Sequence, residues 1–210
     1  MKIDPAPMQP QDIYRLLTGI VVPRPIAWVT TLSADGIINL APFSCFTFVS
    51  SNPPMVGINV GLRSGEQKDT GRNILEQKSF VVNIGDDTMI EQIHLSAVAH
   101  PHNVSETTLL ELNTVPSDHI PVPRLSEVPV SMECVLRHDI AFGRSGSKFL
   151  VGEVVAFHIR DGLCTNNKID TRALRPVCRI GGPNYASLGE IVSMSKVADV
   201  ATGPSDRVES

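Results

Sequence analysis

The sequence predicts a mainly β protein, a barrel carrying a few helices, and three observations lead there. Runs rich in β-forming residues recur along the chain, at Ile26 to Leu32, Met55 to Val60, Ser79 to Ile84 and Phe149 to Ile159. Sixteen prolines and fifteen glycines among 210 residues supply many turns and disfavour long helices. The helical stretches fall between some strands without the regular alternation of a doubly wound sheet, and no internal repeat is visible.

Composition bounds the function. The chain is 42% hydrophobic and 19% charged, which fits one compact domain over residues 1–210 with a substantial core. Aromatics make up only 5%, so Val, Ile and Leu should fill that core. The net charge is −4 and the 18 Lys and Arg are dispersed, which argues against nucleic-acid binding. No apolar run approaches the ~18–20 residues of a membrane helix. The start, MKIDPAPMQPQD, lacks an apolar signal core, so a cytoplasmic protein is expected. Cys45, Cys134, Cys164 and Cys178 form no CxxC pair, and they read as reduced thiols.

The elements follow in order. Residues 8–19 read as a short helix, with Ile13, Leu16 and Leu17 on one face and Gly19 at the stop. Pro23-Arg24-Pro25 then fixes an extended entry. Ile26 to Leu32, the turn Ala34-Asp35-Gly36 and Ile37 to Leu40 read as a hairpin. Pro42 is expected to break the second strand, which resumes at Cys45 to Val49. Ser50 to Pro54 is a turn, Met55 to Val60 a strand, and residues 61–65 a polar loop. Asp69 to Lys78 is a helix and Ser79 to Ile84 a buried strand.

Asp86 to Val98 reads as a further helix. Residues 99–127, with four prolines, are expected to pack over the barrel or at a subunit boundary. Val128 to Ile140 and Phe149 to Ile159 should form a long hairpin around the Gly-Ser turn FGRSGSK. Residues 160–192 read as irregular, and the last ~15 residues as mobile.

Three short motifs carry candidate chemistry. A helix starting near Lys68-Asp69-Thr70 presents unpaired amides that favour an anion. Lys68 would add a charge, Thr70 a hydroxyl, and Arg63 and Ser64 further donors. Ordinary N-capping by Asp69 or Thr70 explains the same residues. In Asn39-Leu40-Ala41-Pro42-Phe43-Ser44, a proline that interrupts a ladder frees backbone groups. Small Ala41 and Ser44 would let a flat ring approach them. A β-bulge at a barrel corner is the alternative. Arg24, held between two prolines, reads equally as an anion clamp or a solvated arginine.

Other signals exclude more than they suggest. His100-Pro101-His102 lacks a Glu or Cys at ligand spacing, so no metal site is expected. The chain has no GxSxG, HExxH, GxGxxG or Walker pattern. Hydrolytic, zinc-peptidase and Rossmann readings therefore find no support.

Taken together and in this order, PRPIAWVTT, ADG, NLAPFS, SSNPP, KDTGRNI and SFVVN resemble the flavin reductase-like family of FMN-binding split β-barrels. VGEVVAFHIRDG and RIGGPNY extend the likeness, which covers roughly residues 10–190. The resemblance implies a split barrel that forms a homodimer with FMN at the subunit boundary. It implies Ala41, Pro42, Phe43 and Ser44 beside the isoalloxazine, Cys45 at its edge, and Tyr185 approaching from a loop or from the partner subunit. It implies Lys68, Asp69 and Thr70 near the ribityl phosphate. Cys45 departs from the aromatic residue common at that position, which leaves the acceptor open. The implied activity is hydride transfer from NADH or NADPH to the flavin. Electrons then pass to oxygen, to free flavin or to a monooxygenase partner, with no catalytic acid or base required. A non-catalytic FMN-binding or electron-carrier protein shares every one of these residues, and a metal- or haem-related barrel that has lost flavin would be colourless or show a spectrum without the flavin bands.

Overall fold

The computed structural model describes residues 1–195. Seven antiparallel strands make the main sheet: β1 (Ala27–Leu32), β2 (Ile38–Phe43), β3 (Phe46–Ser51), β4 (Pro54–Val60), β5 (Ser79–Ile84), β6 (Val130–Phe142) and β7 (Ser147–Ile159). Their order across the sheet is β2-β1-β5-β6-β7-β4-β3. The sheet curls without closing, so β2 and β3 remain edges.

Both faces of the central strands are covered, which explains their nearly continuous apolar runs. Period-two alternation sorts the side chains. Val29, Val82, Phe80 and Leu150 point into one cluster. Trp28, Leu40 and Ile26 point into a second, against Ile93. Val81 packs on Ile120 and Val122 in a third. Ile74 of helix α2 (Asp69–Gln77) plugs the first cluster. Packing inside is tight: a Cβ on Gly152 would stand 2.6 Å from the Phe80 ring and 2.9 Å from the Cys134 Cβ.

Helix α1 (Pro10–Ile20) buries none of its residues, and Tyr14, Leu17 and Ile20 are 64%, 55% and 72% exposed. It runs one residue past the expected stop at Gly19. The expected helix over 86–98 is shorter. A 3-10 turn, Asp87–Met89, opens on the Asp86 side chain, and helix α3 covers only Ile90–Leu95. Trp28 Nε1 donates to Ser96 Oγ at 2.8 Å and ties the end of α3 to the sheet.

Residues 99–127 do pack over the barrel, through buried Glu106, Ile120, Val122 and Leu125. They include a helical turn at Glu106–Leu109 and the paired strands Thr114–Val115 and Arg124–Leu125. The expectation of a mobile tail falls on residues 196–210, outside the described residues.

Pro42 corrects the sequence reading. Strand β2 continues through it, with Pro42 opposite Trp28 and Phe43 opposite Ala27. Leu40 N donates outward to Glu106 Oε2 at 2.9 Å, so the backbone groups of Leu40 face away from β1. By antiparallel alternation those of Pro42 do too. A proline costs nothing at an edge position whose N–H has no strand partner. The ladder is intact, and the open groups are those of the β2 edge.

Candidate functional site

Two clefts meet along this edge. The smaller, about 90 Å³, is lined by Ala41, Phe43, Lys68, Asp69 and Glu106 among others. The larger, about 450 Å³, is lined by Tyr14, Arg24, Ser44, Arg179 and Tyr185 among others. Pro42 and Ala97 belong to both and form their common wall.

Cations and amides define the small cleft. Helix α2 begins without a side-chain cap, and its first internal bond runs from Arg72 N to Lys68 O at 3.0 Å. The amides of Asp69, Thr70 and Gly71 therefore lack intrahelical partners. Burial lowers the Lys68 pKa from its ordinary 10.5, and the neighbouring Arg63 charge lowers it further. The Lys68 ammonium stands 5.9 Å from the Phe43 ring centre. No ion pair among the described residues involves Lys68 or Arg63. Asp69 already has partners, an ion pair with Arg72 and a hydrogen bond with His102 Nδ1 at 2.5 Å. Opposite, Glu106 carries a raised pKa because burial penalises its charge more than the Leu40 amide relieves it.

Thr70 does not face this cleft. It is 1% exposed, and its hydroxyl accepts from Asn39 Nδ2 at 2.9 Å. Asn73 Nδ2 and Asn39 Nδ2 both donate to Thr31 Oγ1, at 3.1 and 3.3 Å. This buried network fastens α2 to β1 and β2. Neither Asp69 nor Thr70 caps the helix with its side chain.

Arg24 is not a solvated arginine. It is buried, and its Nη1 donates to Thr18 O at 2.6 Å and Val21 O at 2.7 Å. Nη2 donates to Ile180 O at 3.1 Å and Nε to Ser44 Oγ at 3.4 Å. The guanidinium thus serves the carbonyl end of α1, where a cation suits the helix dipole. It also fastens α1 to the strand after Val177.

Tyr185 stands at the far wall of the larger cleft. Arg179 Nη1 donates to its hydroxyl at 2.5 Å, and His94 Nδ1 lies 3.2 Å from the same oxygen. Burial raises the phenol pKa, and Arg179 opposes that rise.

The structure thus gathers Ala41, Pro42, Phe43, Arg63, Lys68 and Asp69 at one cleft, and Arg24, Pro42, Ser44 and Tyr185 at the next. Cys45 is exposed and lines neither. Glu106, Arg179 and His94 escaped the sequence reading. Arg179 lay within the quoted RIGGPNY segment, whereas Glu106 and His94 reach the site only through the fold.

Asp118, Glu133 and His158 form a separate cluster with metal-like spacing. Glu133 is fully buried, and it accepts from Asp118 N at 2.7 Å, His119 N at 2.8 Å and His158 Nε2 at 2.6 Å. Its oxygens hold a loop in place, which leaves them poorly suited to a cation.

Comparisons with known proteins agree with this architecture. The structure of nitrilotriacetate monooxygenase component B from Bacillus cereus is 38% identical, with a TM-score of 0.90, over 92% of this chain and 98% of that one. The 2-nitrobenzoate 2-nitroreductase of Pseudomonas fluorescens is 33% identical, with a TM-score of 0.85, over 93% and 96%. A split-barrel protein from Shewanella frigidimarina, described as a putative flavin reductase, shares the fold at 18% identity, with a TM-score of 0.81, over 91% and 95%. Residues 19–171 match the family described as flavin reductase like domain, and the chain belongs to that family of split barrels.

Proposed function

We propose that this protein is an FMN-binding oxidoreductase of flavin reductase type, taking hydride from NADH or NADPH. One observation carries the reading. Two unpaired cations, Lys68 and Arg63, sit with the uncapped start of α2 directly beside an open, proline-containing strand edge.

Those residues fit FMN. Lys68, Arg63 and the free amides of α2 suit a phosphate. The outward carbonyls of Leu40 and Pro42 suit a ring N–H, and Ala41 and Phe43 border the same cleft. Bound there, FMN supplies hydride acceptance and onward electron transfer. Lys68 holds the phosphate by charge, and the phosphate in turn favours the protonated amine that burial disfavours. Glu106 fixes the Leu40 amide and so sets the line of the edge. Arg24 holds α1 over the larger cleft, where Tyr14 and Tyr185 bound the space for a second reactant. No side chain is assigned as acid or base.

The proposal includes a homodimer. An α1 face with Tyr14, Leu17 and Ile20 exposed beside the cleft is unusual for a stable monomer. The relatives named as a monooxygenase component and a nitroreductase support an acceptor outside the flavin, either a monooxygenase partner or a small molecule.

Anaerobic mixing of the FMN-loaded protein with NADH or NADPH tests the activity. Rapid bleaching of the flavin band is the expected result. Bound FMN that neither nucleotide bleaches would contradict reductase function and leave an electron carrier.

A further inference from the structure

The larger cleft holds positive charge that the proposed function leaves unused. Arg179 is half-buried; its Nε donates to Gly182 O at 3.1 Å and its Nη1 to the Tyr185 hydroxyl at 2.5 Å. A guanidinium has five N–H donors, so most of the Arg179 fork is still without a protein acceptor. Arg24, only 7% exposed, brings a second guanidinium to the same cleft, and Arg15 lies at the rim, paired there with Asp12 at 3.0 Å. No Asp or Glu lines this space, and no ion pair among the described residues involves Arg24 or Arg179. The chain as a whole carries −4. Two guanidiniums without a carboxylate partner, Arg24 and Arg179, in one partly desolvated cleft concentrate positive potential against that background. An arginine fork matches two oxygens of one oxyanion, and Tyr14 and Tyr185 offer flat apolar walls beside it.

We propose that this cleft is a second oxyanion site, separate from Lys68. The molecule that exchanges electrons here is an organic anion, seated with its oxyanion on Arg179 and its planar part against Tyr185. The electron-exchange clause rests on the FMN reading; the oxyanion site does not. FMN carries a single phosphate, assigned above to Lys68 across the Pro42 wall, so the Arg179 charge serves a different molecule. The oxyanion is either a carboxylate on the electron acceptor or a phosphate of the nicotinamide dinucleotide.

Calorimetric titration of the full-length, flavin-free protein with benzoate, and separately with ADP, tests this. At least one should bind, more weakly as salt rises. Arg179→Gln should weaken that binding by about tenfold or more, the loss of one charge-assisted contact. Arg179→Lys keeps the charge without the fork and should fall between the two. Arg15→Gln changes an exposed rim residue, so it leaves folding untouched and should weaken binding less. Benzoate binding assigns the site to a carboxylate acceptor, and ADP binding assigns it to the dinucleotide; either supports the site. Failure of both ligands to bind, or binding unchanged in Arg179→Gln and Arg179→Lys, would overturn it. FMN is titrated separately into the wild type. Its failure would remove the proposed function while leaving the oxyanion result standing.

Discussion

Lys68→Ala should separate FMN from riboflavin. The two flavins differ in the phosphate, and Lys68 is the half-buried cation placed to meet it. In the free protein its charge is disfavoured by burial and by Arg63, with no carboxylate to offset either. A phosphate supplies that missing anion. A hydrogen bond to a charged group contributes about 1.5–3 kcal/mol, so FMN should bind about ten- to a hundredfold more weakly to the variant. Riboflavin, which makes no such contact, should change little. The contact also predicts a pH dependence. Lys68 has a lowered pKa, so FMN affinity should fall on the alkaline side earlier than for an ordinary lysine, and Lys68→Ala should lack that limb. Titration by flavin fluorescence quenching measures all of these. Equal losses for FMN and riboflavin would show that the phosphate lies elsewhere.

Three further outcomes follow from the same geometry. Glu133→Ala leaves two amides and His158 without their buried acceptor, and should cost about 3–5 kcal/mol by denaturant unfolding. Burial pushes the Glu133 carboxyl up, but its hydrogen bonds outweigh that and hold it below 4.5; the stability it gives is present above that pH and lost as pH falls, a loss Glu133→Gln should not share. Gly152→Ala forces a methyl against Phe80 and Cys134, and should cost about 1–3 kcal/mol or more in the same measurement. Cys45→Ser should leave FMN affinity and flavin bleaching by NADH nearly unchanged, because the thiol is exposed and lines neither cleft.

Much of the fold was readable because it is locally encoded. Ser79–Ile84 forms a strand over the span its composition predicted, and Ala34-Asp35-Gly36 turns the first hairpin with Gly36 at φ +78°. The long β6–β7 hairpin turns at Gly143 and Gly146, both at positive φ. What was misread depends on distant partners. Pro42 looked like a break because the sequence does not say which strand lies at an edge. Thr70 looked like a phosphate ligand because its direction is set by Asn39, thirty-one residues earlier. Arg24 left an anion clamp and a solvated side chain equally open, because its partners include Ile180, brought close only by the fold. Glu106 gave no local signal, since its role is to hold the Leu40 amide from 66 residues away.

Titrating FMN into the purified, flavin-free protein, with fluorescence quenching as the readout, tests the central claim most directly. The account predicts saturable binding at one FMN per chain, with riboflavin binding at least about tenfold more weakly because it cannot use Lys68 and the start of α2. Absence of saturable FMN binding, or equal affinity for the two flavins, would contradict it.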